Sequence, residues 1–238
     1  MDQTSYRPVT ILPAISKVFE KCFQLTSYFE TIFPPTLTAY QQNHICCTTL
    51  LRLTEDWKTE ADLNNIIGAT LIDLSKAFDR LLHNLLLEKL SAYGVSPESL
   101  ELLTNYVKNR TQCVRLGNTR STTGKLTSGV PQGSVLGPHL FNIFINDLFY
   151  NIKKAKISAY ADDKQLYFSN ASAKIVQKTL NSELAVVSSW TTDNGLLLNP
   201  EKFESLIFRR TISKHNQAEE EKINFSVDGT LIEPSTTC

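Results

Sequence analysis

Apolar residues recur along this chain at two spacings, one typical of helices and one typical of buried strands. Residues that end or begin helices support several of the predicted bounds. Pro34 and Gly94 follow two helical segments. Ser96 followed by Pro97 is typical of an N-cap and the first helical position. The predicted helices cover residues 14–30, 85–93, 97–110, 135–149 and 173–190.

A continuous apolar run at residues 66–74 predicts a buried strand. Two short runs at 157–161 and 165–168 lie close enough in sequence to form a hairpin. Helices and strands alternate without regular βαβ spacing, so the expected fold class is α+β, an antiparallel sheet with helices on one face. The other predicted strands cover residues 112–116, 204–208 and 223–227.

Acidic residues stand where two of these strands end. Asp73 closes the first strand, while Asp162 and Asp163 lie in the predicted hairpin, so the three carboxylates are expected to meet in one sheet. Such an all-oxygen site suits Mg²⁺. Adjacent acids repel each other unless a cation compensates, and Lys164 is placed to offset part of that repulsion in the metal-free protein. A single acid more often caps a strand or helix, which is the role expected of Asp79.

Composition narrows the class of protein. At 238 residues, 42% hydrophobic and 20% charged, the chain has an ordinary globular composition. Its 24 basic and 24 acidic residues balance, so it lacks the strongly basic character of many nucleic-acid-binding proteins. No long apolar run and no signal pattern occur, so we expect an intracellular protein of the cytoplasm or nucleus without a membrane segment.

Five cysteines occur without a CxxC pair, and the four histidines are scattered. An odd number of cysteines at irregular spacing is not typical of a disulfide framework. Reduced thiols are therefore expected, with no zinc site.

Several sequence blocks resemble the reverse transcriptase domain of non-LTR (LINE-type) retrotransposons. Each block alone is moderate evidence, but their occurrence together in this order is very specific. The resemblance extends from Tyr6 to about Phe208. The blocks are Arg7-Pro8-Val9, Asp73-Leu74-Ser75-Lys76-Ala77-Phe78-Asp79, Ser128-Gly129-Val130-Pro131-Gln132-Gly133-Ser134-Val135-Leu136-Gly137-Pro138, Tyr160-Ala161-Asp162-Asp163 and Gly195-Leu196-Leu197-Leu198-Asn199-Pro200-Glu201-Lys202.

The resemblance implies a right-hand polymerase palm with partial helical fingers and no thumb. Residues 1–65 would be partial fingers. Residues 66–210 would be the palm, with an insert over about 90–130. Residues 211–238 would be a polar tail leading to an absent primer grip and thumb.

The resemblance also implies roles for single residues. Asp73 and Asp162 would hold two Mg²⁺ ions, for which Mn²⁺ would substitute, with Asp163 supporting the site. Lys202 would protonate the leaving pyrophosphate.

Four more residues are implied to bind the nucleotide. Phe78 would be a steric gate that excludes a ribose 2′-hydroxyl; the alternative is a core phenylalanine. Gln132 and Gly133 would lie near the nucleotide and template base; the alternative is a helix-entry turn. Arg7 would touch template or triphosphate; the alternative is a solvated surface residue.

The implied function is an RNA-directed DNA polymerase core, which adds deoxynucleoside triphosphates to a primer on an RNA or DNA template. The alternative is an inactive remnant that at most binds nucleic acid, since Gln41 stands where relatives carry a cation for the triphosphate. An RNA-copying RNA polymerase shares the acid pattern, but Phe78 argues against it. Nothing in the sequence specifies an oligomeric state.

Overall fold

The chain folds into two units, each built from separate stretches of sequence. The computed structural model describes residues 10–22, 28–29, 31–41, 43–210 and 223–232. The first unit combines Met1–Ile32 with Lys76–Ile145, and the second combines Phe33–Ser75 with Asn146–Cys238.

Helices and short strands alternate along the chain. The helices are α1 (Ala14–Cys22), α2 (Cys46–Asp62), α3 (His83–Ala92), α4 (Pro97–Val107), α5 (Leu136–Asn151) and α6 (Ala173–Asp193), with 3₁₀ turns at Ala77–Asp79 and Pro200–Lys202. The strands are β1 (Ile66–Ile72), β2 (Thr111–Gln112), β3 (Arg115–Leu116), β4 (Thr119–Arg120), β5 (Gly124–Lys125), β6 (Lys156–Tyr160), β7 (Asp163–Asn170), β8 (Glu204–Phe208), β9 (Phe225–Val227) and β10 (Thr230–Ile232).

A four-stranded antiparallel sheet forms the centre of the second unit, in the order β6-β7-β1-β8. β1 lies between β7 and β8, and its sequence is apolar on both faces because both faces are covered by helices. The predicted antiparallel sheet is confirmed, and so is the expectation that the strand ending at Asp73 and the acidic hairpin share it.

Neighbouring residues of β1 point to opposite faces of the sheet, and a helix packs on each face. At Gly68 an added Cβ would come within 2.6 Å of Val176 and 2.8 Å of Leu180, so the glycine lets α6 approach closely. On the other face Ala69 packs with Leu53 of α2 and with Tyr167. The helical layer on the sheet is as predicted, and α2 adds a helix on the opposite face.

The first unit is mainly helical in the part of the chain that the structure describes. Leu86 and Leu90 of α3, Leu103 of α4 and Phe141 of α5 are at most 1% exposed and form its interior. Two exposed strand pairs, β2 with β5 and β3 with β4, follow α4.

Most predicted elements are present. The hydroxyl of Ser96 accepts a hydrogen bond from the backbone N–H of Ser99 at 3.3 Å, and Pro97 opens α4, as the sequence predicts. The predicted turn after β9 joins β9 to β10 at Asp228 and Gly229, both at positive φ. None of the helices in the described ranges is long and apolar enough to cross a membrane.

The helix predicted over 14–30 is present at Ala14–Cys22, and residues 28 and 29 are also helical, while 23–27 and 30 lie outside the described residues. Other predicted elements differ from the structure. The single strand predicted at 112–116 is divided into β2 and β3. Helix α2 was not predicted, because its threonines and charged residues interrupt the apolar spacing.

Candidate active site

Asp73 lies beside the acidic hairpin in the second unit. Antiparallel pairing places Ile72 of β1 opposite Lys164 of β7, and Tyr160 of β6 opposite Asp163. Asp73 follows Ile72 directly, so its backbone comes level with Asp163. Strand register alone therefore brings residues about ninety positions apart in sequence to the same end of two adjacent strands.

The turn of the hairpin contains Ala161 and Asp162. Ala161 has φ of +56°, a left-handed conformation that an L-residue adopts at a cost of about 1 kcal/mol. Two-residue hairpin turns require a positive φ because it matches the twist of the strands. The strained residue thus sets the place of Asp162, which is partly buried, and of Asp163, which is exposed.

A buried amine lies among these acids. Lys164 is only 2% exposed, and its Nζ donates to the backbone carbonyl oxygen of Asp162 at 3.3 Å. Burial lowers the pKa of Lys164 to about 8, and the negative charges of Asp162, Asp163 and Asp73 oppose that shift. In the described part of the chain no three His, Cys, Asp or Glu side chains are arranged as a ligand set for a metal ion.

The segment before β8 brings Lys202 to Asp73. The backbone N–H of Asn199 donates to the carbonyl oxygen of Asp73 at 3.1 Å, and that of Ser75 to the carbonyl oxygen of Leu197 at 2.8 Å. Held this way, Lys202 places its Nζ 3.8 Å from Oδ2 of Asp73. The Lys202 side chain is 68% exposed and can move toward a ligand.

One carboxylate oxygen of Asp73 has an incomplete hydrogen-bonding environment. Oδ2 is buried and has no hydrogen-bond partner among the described residues. Its charged neighbour is the Lys202 ammonium, which at 3.8 Å is too distant to donate a hydrogen bond. The backbone of Asp73 is in register with the Asp162–Asp163 hairpin, and carboxylate oxygens are the ligands that hard divalent cations prefer.

Residues before α2 add a neighbour to this site. The backbone N–H of Thr38 donates to the carbonyl oxygen of Ala159 at 3.0 Å, so this segment extends along β6. Tyr40 follows at φ +60°, and its pKa is raised by burial and then by the charges of Asp162 and Tyr160. The amide of Gln41 donates to the carbonyl oxygen of Leu37 and so stabilises the local turn.

The predicted nucleotide-binding residues that the structure describes lie in the first unit. Phe78 is half-buried and stacks on Phe141, with ring centroids 4.4 Å apart. Gln132 is half-buried, and Gly133 is exposed at φ +98°. Arg7 lies outside the described residues.

A carboxylate from α1 holds the loop that carries Gln132. Glu20 is fully buried, and its Oε2 accepts from the backbone N–H groups of Val135 and Leu136 at 2.6 and 3.1 Å. These groups open α5, where a negative charge is stabilising. The backbone N–H of Thr10 donates to the carbonyl oxygen of Gln132 at 3.0 Å, which adds a second attachment.

The structure thus brings Asp73, Asp162, Asp163 and Lys202 together in the second unit, and Phe78 and Gln132 onto adjoining segments in the first. Sequence reasoning did not assign Tyr40 to the site. Its only sequence signal was an aromatic residue before a polar turn.

The chain matches the family model described as "Reverse transcriptase (RNA-dependent DNA polymerase)" over residues 2–225. It is 31% identical over 209 residues to "Probable RNA-directed DNA polymerase from transposon BS" of Drosophila melanogaster, covering 83% of this chain and 23% of the relative. It is 27% identical to "RNA-directed DNA polymerase from mobile element jockey" of Drosophila funebris, covering 89% of this chain and 24% of the relative. The chain spans about a quarter of the length of these relatives.

Solved structures share the fold. Telomerase from Candida tropicalis, in complex with the TWJ fragment of telomeric RNA, has a TM-score of 0.56 at 14% identity, covering 81% of this chain and 32% of telomerase. Telomerase from Candida albicans, in a corresponding complex, has a TM-score of 0.54 at 12% identity, covering 83% of this chain and 35% of that one.

Proposed function

This chain belongs to the reverse transcriptase (RNA-dependent DNA polymerase) family, and we propose that it is the catalytic core of a retrotransposon RNA-directed DNA polymerase. The single observation that carries the proposal is the register that brings Asp73 level with the Asp162–Asp163 hairpin. The matched polymerases of non-LTR elements support the same reading. The reaction proposed is transfer of a deoxynucleotide to the 3′ end of a primer.

Reverse transcriptases generally use divalent metal ions, and we assign two Mg²⁺ ions, with Mn²⁺ as a substitute, to this site. Asp73 and Asp162 are the side chains that would hold them, with Asp163 beside them. The buried Oδ2 of Asp73, which lacks a donor among the described residues, supports that assignment. When bound, such ions lower the pKa of the primer hydroxyl and stabilise the charge on the leaving pyrophosphate.

Lys202 is proposed to donate a proton to the leaving pyrophosphate. Its ammonium lies 3.8 Å from Asp73 while its stem is largely exposed, so the side chain can exchange the carboxylate for a phosphate oxygen. A positively charged donor near the leaving oxygen stabilises negative charge as it develops.

Nucleotide recognition is assigned to residues of the first unit. Phe78 would exclude ribonucleotides by a clash of its ring with the 2′-hydroxyl, and stacking on Phe141 stiffens that ring. Gln132, Gly133 and Arg7 would contact the incoming deoxynucleoside triphosphate or the template base. Glycine at position 133 lets the backbone approach a ligand closely, and its φ of +98° suits that residue.

The proposed partners are an RNA or DNA template with its primer, bound mainly through backbone contacts, inside the cell in the cytoplasm or nucleus. Base pairing would supply sequence specificity. The notion of a palm over residues 66–210 with partial fingers before it remains a proposal. The second unit, which carries the aspartates, contains residues 66–75 and 146–210 of that proposed palm.

Primer extension tests the proposal directly. Purified protein is given oligo-dT annealed to poly-A, dTTP and Mg²⁺, beside Asp162→Asn and an exposed control, Asp193→Asn on α6. We expect incorporation by the wild type and by Asp193→Asn, and a loss of at least about a hundredfold in Asp162→Asn. Incorporation by the wild type no greater than that of Asp162→Asn would refute the activity.

The alternative of an inactive remnant gives a different result in the same experiment. It predicts salt-dependent binding of the template-primer without Mg²⁺-dependent extension. The matched polymerases do not favour this alternative over the main proposal.

A further inference from the structure

Asp79, for which the sequence predicted only a capping role, holds the side chain of Gln132. Its Oδ1 accepts a hydrogen bond from Nε2 of Gln132 at 3.0 Å. Both side chains are half-buried, so water competes only partly for this hydrogen bond. The two residues lie 53 positions apart in sequence and meet within the first unit.

Backbone hydrogen bonds around Asp79 hold together the two segments that carry this pair. The hydroxyl of Ser128 donates to the carbonyl oxygen of Asp79 at 2.9 Å, and the N–H of Val130 donates to that of Phe78 at 2.9 Å. Gly129 has φ of +83°, and a Cβ there would lie 2.7 Å from the carbonyl oxygen of Asp79. The loop that carries Gln132 is therefore fixed against the segment that carries Phe78.

The chemistry of the pair fixes which end of the Gln132 amide is free. An ionised carboxylate only accepts hydrogen bonds, so the amide must turn its NH₂ toward Asp79. The carbonyl oxygen Oε1 is then presented as an acceptor. An amide without such a partner exchanges its donor and acceptor ends at little cost.

We propose that Asp79 is a positioning residue that orients Gln132 so that Oε1 accepts a hydrogen bond from the sugar or base of the incoming nucleotide. This inference rests on the proposed function. The carboxylate of Asp79 and the amide oxygen both repel phosphate oxygens, so the pair serves an uncharged donor and not the triphosphate. Asp79 itself does not touch the nucleotide.

The test compares Asp79→Asn, Gln132→Ala and the double variant, with the exposed acid Glu88 on α3 changed to Gln as the control. Two quantities are measured for dTTP on poly-A with oligo-dT. One is KM and kcat of extension in Mg²⁺. The other is the Kd for dTTP of a complex whose primer ends in a 3′-deoxynucleotide, measured in Ca²⁺.

Asparagine at position 79 can donate as well as accept, so the orientation of Gln132 is lost. We expect Asp79→Asn to raise KM and Kd about tenfold, with kcat changed less than about threefold. The KM and Kd of the double variant should be no higher than those of Gln132→Ala alone, because the two residues act as one unit. Glu88→Gln should match the wild type in both constants.

Unchanged KM and Kd in Asp79→Asn, or independent effects that multiply in the double variant, would overturn the inference. Should Asp79→Asn fail to fold, as judged by its melting curve, Gln132→Glu replaces it. That variant cannot donate to Asp79, so the same rise is expected, and unchanged constants in it overturn the inference equally.

The two proposals fail in different ways. A wild type that binds dTTP but extends no primer, with binding weakened in Asp79→Asn, removes the proposed activity and supports the positioning role. Extension by the wild type with normal constants in Asp79→Asn removes only the positioning role. A wild type that neither binds dTTP nor extends a primer contradicts both.

Discussion

At the scale of single residues, Lys164 combines two opposing effects. Burial disfavours its charge, while three nearby carboxylates favour it, and burial is the larger effect on its pKa. The sequence placed a cation beside the acids and predicted that it offsets their repulsion. It did not reveal that the side chain is 2% exposed, because burial depends on the strands on either side of β7.

The shifted pKa makes stability depend on pH. Lys164 titrates at about 8 in the folded protein, and at about 10.4 when unfolded. Between these values the unfolded chain binds more protons, so the free energy of unfolding rises with pH. We predict that metal-free Lys164→Met exceeds the wild type in this free energy below pH 8, on the order of 2 kcal/mol, and that this difference shrinks toward about pH 10.

Urea unfolding in EDTA at several pH values measures this difference. Lys178→Met, which removes an exposed lysine from α6, is the matched control and should show no such trend. A difference between Lys164→Met and the wild type that stays constant from pH 7 to about 10 would show that Lys164 keeps an ordinary pKa.

At the scale of elements, the hairpin of β6 and β7 determines where the acids stand. The hairpin and the long helix α6 were predicted from apolar spacing, because each buries a regular face. The turn is shorter than predicted and lies at 161–162, so Asp163 and Lys164 belong to β7. Helix α2 was not, since Leu50 and Leu51 are more than half exposed and its buried positions include Thr49. Its formation depends on packing against Ala69 and Tyr167 of the sheet.

The strained turn gives a prediction at this scale. Glycine relieves the left-handed conformation of Ala161, whereas at Ala159, a buried strand position 1% exposed, glycine only adds flexibility and removes a methyl group. Ala161→Gly should therefore be less destabilising than Ala159→Gly by about 1 kcal/mol in free energy of unfolding. Chemical denaturation of both variants measures this, and equal losses would mean that the turn stores no strain.

At the scale of the whole chain, the ordered sequence blocks indicated the family, and the family model that matches residues 2–225 shows it. The meeting of Asp73 with the hairpin was predictable because acids at strand ends gather where the strands pair. The hydrogen bond from Gln132 to Asp79 was not, because it depends on how a loop crosses a 3₁₀ turn 53 residues away. Side-chain partners of this kind have no periodic signal in sequence.

The central claim is that acids from distant parts of the chain act together as a nucleotidyl-transfer site. Mg²⁺-dependent extension of oligo-dT on poly-A, measured for Asp73→Asn and Asp162→Asn beside Asp193→Asn, tests it most directly. We predict that each of the first two variants loses at least about a hundredfold in rate while all three melt near the wild-type temperature. Extension by a folded Asp73→Asn at the wild-type rate would contradict the account.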